Sequence, residues 1–82
     1  MDRKTALKEY IKNEIMRNKK VELDENENLL TSGILDSLAI LQLVSFIEKD
    51  LGIYIPDEDV VYQNFQSINA LVGFLQTLKS EH

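Results

Sequence analysis

The chain has 82 residues, a net charge of −5 at neutral pH, no cysteine, and one histidine, at its last position. A domain of this length buries only about 60% of the surface that its unfolded chain exposes, so well-patterned helices around one modest core must hold it together. The lack of cysteine excludes a disulfide framework and a thiolate metal site and fits a reducing, cytoplasmic setting. It also leaves the chain without a thiol, and without a placed imidazole base, of its own.

The spacing predicts a first helix over about 3–18, with Leu7, Ile11 and Ile15 four residues apart and Tyr10 beside them. Residues 1–20 carry seven bases and three acids. Lys8 and Glu9 interrupt the basic start before any apolar run, so no signal peptide is expected. With Tyr10 as its one aromatic, this helix is a poor nucleic-acid surface. A connection rich in Asp, Glu and Asn runs from Val21 to Leu35. A free loop of that length is unusual in a compact domain, so Val21, Leu23, Leu29, Leu30 and Ile34 are expected to anchor it.

A second helix is predicted from Asp36 or Ser37 to Leu51, with Asp36 as N-cap and Gly52 as the left-handed stop. At 100° per residue, Ile40, Leu43, Val44, Ile47 and Leu51 share one face, the expected core stripe. Leu38 falls on the far side with Gln42, Ser45 and Lys49, while Leu41 and Phe46 take the flanks. Asp36, Ser37, Gln42 and Ser45 break the apolar run, so nothing here is expected to span a bilayer. A short third helix is expected with Pro56 at its first helical position, Asp57, Glu58 and Asp59 at its positive end and Val60, Val61 and Tyr62 following. Ser67 should cap a last helix that presents Ile68, Leu71, Val72, Leu75 and Leu78 on one face. No segment shows the two-residue alternation of a strand. The expected fold is an all-α, small four-helix bundle, three longer helices plus one short third helix, forming a single domain over residues 1–82.

Gly33-Ile34-Leu35-Asp36-Ser37-Leu38 is the most informative stretch. It sets a serine in the first turn of a helix, where a phosphate-containing group is favoured by the dipole and the unpaired amides. Serine at a helix start is ordinarily a cap. Nucleophilic catalysis by Ser37 would need a base and an oxyanion site, and neither a histidine nor a lysine neighbours it. A serine presented without local machinery reads as the substrate of another enzyme. Leu38, outward beside it, and Leu41, one turn later, read as a docking surface. Residues 21–59 carry ten acids against Lys49 alone, which argues against a nucleic-acid backbone and fits either a basic protein partner or a solubilising excess of charge.

At these residues the chain resembles the acyl carrier proteins. Asn28 to Leu38 is similar to that family's approach to its modified serine, Phe46 to Asp59 to its second-helix exit, and Asn64 to Leu71 to its entry into the last helix. The resemblance implies an acyl-carrier-protein-like bundle that is not an enzyme. It implies Ser37 as the covalent attachment point of 4′-phosphopantetheine from coenzyme A, with Asp36 in support. It implies a partner face of Leu38, Leu41, Glu48, Glu58, Asp59 and Val61. The implied partners are a phosphopantetheinyl transferase, an acyl- or aminoacyl-loading ligase, and downstream transferases or synthases; neither nucleic acid, membrane nor metal is expected, and the chain should be monomeric. Carriers of housekeeping fatty acid synthesis bear more acids along the second helix than Ala39, Gln42, Ser45 and Lys49. The lead-in looks more like that of free-standing carriers of specialised pathways, of aminoacyl or peptidyl, polyketide or D-alanyl type. The rival reading is an unmodified acidic helical protein-interaction module.

Overall fold

A computed structural model describes residues 2–18, 20 and 22–78. Helix α1 (Arg3–Tyr10) opens on Asp2, whose side chain accepts from the Thr5 amide at 2.7 Å, and widens into a π-helical turn over Ile11–Ile15. Helix α2 (Ser37–Phe46) likewise widens over Ile47–Leu51 and stops at Gly52, which takes the left-handed φ of 70° expected of it. Helix α3 (Ile68–Gln76) starts at Ser67, whose hydroxyl accepts from the Ala70 amide at 3.0 Å. No strand occurs among the described residues.

The short third helix is absent in the form expected. Residues 56–65 make two separate 3₁₀ turns, Asp57–Asp59 and Tyr62–Asn64. Pro56 precedes the first turn with an extended ψ of 144°, and Val60 and Val61 leave the helical region between the turns. β-Branched side chains make a continued helix less favourable there. The Asn64 side-chain amide donates to the Asp59 carbonyl at 2.9 Å, taking the acceptor that another helical turn would have used. Three longer helical elements therefore stand, and the fourth element is a pair of tight turns.

Leu7 and Ile11 of α1, Ile40, Leu43 and Ile47 of α2 and Ile68, Leu71 and Leu75 of α3 converge with Phe65 on one core. Val44 and Leu51, assigned to the core stripe of α2, are half-buried at its edge. Ala39 is buried although the apolar stripe did not include it. The long connection is tied down as expected: Leu23, Leu29 and Leu35 are buried, while Leu30 and Ile34 are half-buried. The expected anchor Val21 lies outside the described residues, as does His82. Backbone bonds reinforce the anchors, with the Leu29 amide donating to the Gln66 carbonyl at 2.7 Å and the Asn69 amide to the Glu25 carbonyl at 3.1 Å. Tyr10 and Phe46 stack at 4.2 Å between ring centres, joining α1 to α2 where both helices begin to widen.

The connection also meets α1 through charge. Lys4 and Lys8 place their Nζ atoms 3.0 and 3.3 Å from the two carboxylate oxygens of Glu25. Hydrogen bonds from Lys4 first, and then Lys8, hold the Glu25 carboxyl below its usual value of 4.5. A carboxyl lowered in the folded state adds stability above its unfolded value and loses it as pH falls through the folded one. Glu25→Gln should therefore lower the melting temperature at neutral pH, with the difference from wild type closing as the buffer is taken to about pH 3; a constant difference across that range would remove charge as the cause. For the core, Leu43→Ala should cost about 2–5 kcal/mol in denaturant unfolding. Leu38→Ala should stay within about 0.5 kcal/mol of wild type, and a loss comparable to Leu43→Ala would contradict its outward placement.

Candidate functional site

The site is built at the start of α2. Asp36 stands just before the helix, and its Oδ1 accepts from the Ala39 amide at 2.8 Å. The cap is thus supplied by the aspartate, as expected, and the fold does not call on the Ser37 hydroxyl for it. Ser37 occupies the first helical position and is exposed. The first turn of α2 contains no acidic residue. Incoming chain geometry is set by the bend over residues 28–35. The Asn28 side chain accepts from the Leu30 and Thr31 amides, Gly33 takes a φ of 84°, and the Leu35 amide returns to the Leu29 carbonyl at 2.9 Å. With Leu29 and Leu35 both buried, this bend is pinned to the core and delivers Asp36 and Ser37 to the surface.

Around Ser37 the surface carries exposed apolar side chains. Leu38 is 66% exposed and Leu41 60% exposed. Across from them, where the second 3₁₀ turn begins, Val61 and Tyr62 are also exposed. An open cleft of about 500 Å³ runs between the two elements, lined by Ser37, Ile40, Leu41, Val60, Val61, Tyr62 and Gln63. A smaller one of about 260 Å³ lies on the other side of Ser37, against Leu30, Leu35, Asp36 and Tyr62. Ser37 is the meeting point of both.

Of the residues assigned to a partner face, Leu38, Leu41 and Val61 flank the serine, and Glu58 is exposed and Asp59 half-buried on the first 3₁₀ turn. Glu48 is differently employed. It is half-buried, and its Oε2 accepts from the Ile55 amide at 3.0 Å, bracing the segment that leaves α2. That carboxylate acts on the protein's own backbone, because the reversal at Gly52 brings residue 55 back beside the helix. Val60, Tyr62 and Gln63 were not assigned to the site from the sequence. A helical reading of residues 57–62 places them on one rod, whereas the 3₁₀ turns splay them toward α2. The available hint is a tyrosine that directly follows two valines, Val60-Val61-Tyr62.

No group of three or more His, Cys, Asp or Glu side chains among the described residues is placed to hold a metal ion. No helix among them is long and apolar enough to cross a membrane.

Removing the cap separates the two neighbours. Asp36→Ala should destabilise the fold by about 1 kcal/mol, read from thermal or denaturant unfolding. Ser37→Ala should leave stability nearly unchanged; the reverse ranking would transfer the cap to the serine.

Residues 5–75 match the family model described as a phosphopantetheine attachment site. Over 57 residues the chain is 32% identical to the acyl carrier protein AsbD of Bacillus anthracis, a match covering 70% of this chain and 63% of that protein. The chain thus spans less than two thirds of this relative's length. It is also similar to a chain in a crystal structure described as that of an FAD-dependent dehydrogenase. The TM-score is 0.76 at 30% identity, over 85% of this chain and 99% of that one.

Proposed function

We propose that this chain, which belongs to the phosphopantetheine-attachment family of acyl carrier proteins, is modified on the Ser37 hydroxyl and shuttles acyl or aminoacyl groups between enzymes of a biosynthetic pathway. Members of the family are carriers rather than catalysts, and they interact with phosphopantetheinyl transferases and with biosynthetic enzymes. The prosthetic group is 4′-phosphopantetheine, which supplies the thiol that a cysteine-free chain lacks and holds the cargo as a thioester.

The observation that carries the assignment to Ser37 is its release from structural duty. An exposed hydroxyl stands at the first position of α2 while the neighbouring carboxylate caps the helix. The residues present fit the group. The positive end of the helix and its free amides favour a phosphodiester, no acid stands in the first turn, and an apolar cleft begins at the serine. Asp36 orders the turn that presents the hydroxyl to a modifying enzyme. Leu38, Leu41 and Val61 supply apolar contact for partners, Glu58 and Asp59 add charge that steers a basic surface, and Glu48 is held in the bond to the Ile55 amide. Weak, fast docking suits a protein that must leave each enzyme in turn.

The sparse acids along α2, where Ala39, Gln42 and Ser45 stand, support a specialised pathway over housekeeping fatty acid synthesis. We place the protein in the cytoplasm as a monomer served by a loading ligase and downstream transferases or synthases. The likeness to the chain in the FAD-dependent dehydrogenase structure runs along 99% of that chain and supports the same helical fold. The exposed leucines and acids suit a second reading, an unmodified interaction module. Incubation with coenzyme A, magnesium and a promiscuous phosphopantetheinyl transferase separates the two. Wild type should gain the mass of one phosphopantetheinyl group and Ser37→Ala should gain none. A folded wild-type protein that gains no mass would leave the interaction module as the reading.

A further inference from the structure

A third cleft, of about 450 Å³, opens between α1 with its π-helical turn and the widened end of α2, and no residue lines both it and the clefts at Ser37. One wall is the stacked pair Tyr10 and Phe46, with ring centres 4.2 Å apart and planes 19° from parallel. The Tyr10 hydroxyl donates to the Gln42 carbonyl at 3.3 Å, which fixes the ring. Glu9, Glu14 and Asp50 line the rest with Asn13, and among the described residues no basic side chain does. This segregation runs against the composition of α1. Residues 1–20 hold seven bases and three acids, and two of those acids line this one cleft. Lys4 and Lys8 are drawn off to Glu25, and none of the three cleft carboxylates forms an ion pair among the described residues. Burial, followed by the charges of Glu14 and Asp50, raises the Tyr10 phenol above its usual value of 10.0, so both carboxylates are felt at the ring. Asn13 adds an independent sign. Its Oδ1 is buried with no hydrogen-bond partner among the described residues, a state that folded proteins ordinarily avoid.

We infer that this cleft receives an arginine side chain of a partner protein and leaves the face at Ser37 open. A guanidinium is planar and lies flat against an aromatic ring. Its fork of N–H groups pairs with carboxylates, and its spare donors suit an orphaned acceptor. A lysine ammonium would answer the charge without matching the flat wall. A metal ion is the poorer occupant, because the described acids are not grouped to hold one. Phe46 and Leu41 stand on opposite flanks of α2, so a partner seated here would hold the protein while Ser37 stays accessible. The binding itself does not require Ser37 to be modified.

The test titrates the full, unmodified, isotope-labelled chain with N-acetyl-arginine amide, and in parallel with its lysine counterpart at equal ionic strength, observed by NMR. The arginine probe should shift the Asn13 side-chain amide and the backbone amides of Glu14, Phe46 and Asp50 in a saturable way, leaving Ser37, Leu38 and Leu41 in place. The lysine probe should bind severalfold more weakly. Exposed Asp57 and Glu58, which belong to no such cleft, serve as the internal control. Glu14→Gln combined with Asp50→Asn, both at exposed positions, should weaken arginine binding severalfold. Either change alone makes the same comparison if the pair disturbs the fold. Equal shifts at Asp57 and Glu58 would reduce the effect to diffuse charge and overturn the inference. So would shifts that do not saturate, equal binding of the two probes, or unchanged binding in the variants.

Discussion

The site depends on one hydrogen bond, from the Ala39 amide to Asp36 Oδ1 at 2.8 Å. A helix start leaves amides without intrahelical partners, and some nearby side chain or water must satisfy them. Because Asp36 meets that need from the residue before the helix, the next residue inherits a position at the positive end of α2 without inheriting a structural task. Ser37 can then be exposed, and altered, at little cost to the fold. Had the serine been the cap, the same oxygen would have been needed both for the helix and for the modification proposed on it.

What brings Asp36 to that place is the long acidic connection, which behaves as a packed element. Leu23, Leu29 and Leu35 enter the core. Leu29 bonds to the residue before Ser67, and Glu25 joins α3 through its carbonyl and α1 through two lysines. Its acids are thus of two kinds. Glu25 works inside the molecule as a clamp, while others face water. Glu48 belongs with the first kind, since its carboxylate braces the backbone at Ile55. The strong negative balance of residues 21–59 therefore overstates how much charge is offered to a partner, and the surface beside Ser37 is chiefly Leu38, Leu41, Val61 and Tyr62.

An apolar, uncharged approach to the serine has a functional corollary. Burying leucine and valine against a partner yields contact energy without demanding a matched charge, whereas the acids of the first 3₁₀ turn can still speed encounter with a basic surface. On the reading proposed above, contact and steering would be split between adjacent elements, as suits brief docking with more than one enzyme.

Much of this was legible in the residues themselves. The stripes Leu7–Ile11, Ile40–Leu43–Ile47 and Ile68–Leu71–Leu75, the caps at Asp36 and Ser67, the stop at Gly52 and the outward Leu38 follow from helical periodicity and local hydrogen bonding, and each stands where those rules place it. These features depend on neighbours within four residues, which a sequence displays directly. The π-helical ends of α1 and α2, the two 3₁₀ turns in place of a helix, the recruitment of Glu48 to Ile55 and the convergence of Val60, Val61 and Tyr62 on Ser37 were decided by tertiary structure. Each joins groups that are separated along the chain or turns on a balance between α and 3₁₀ bonding too close for local propensity to settle. Sequence by itself determined which serine is presented and what caps its helix; only packing decided what surrounds it.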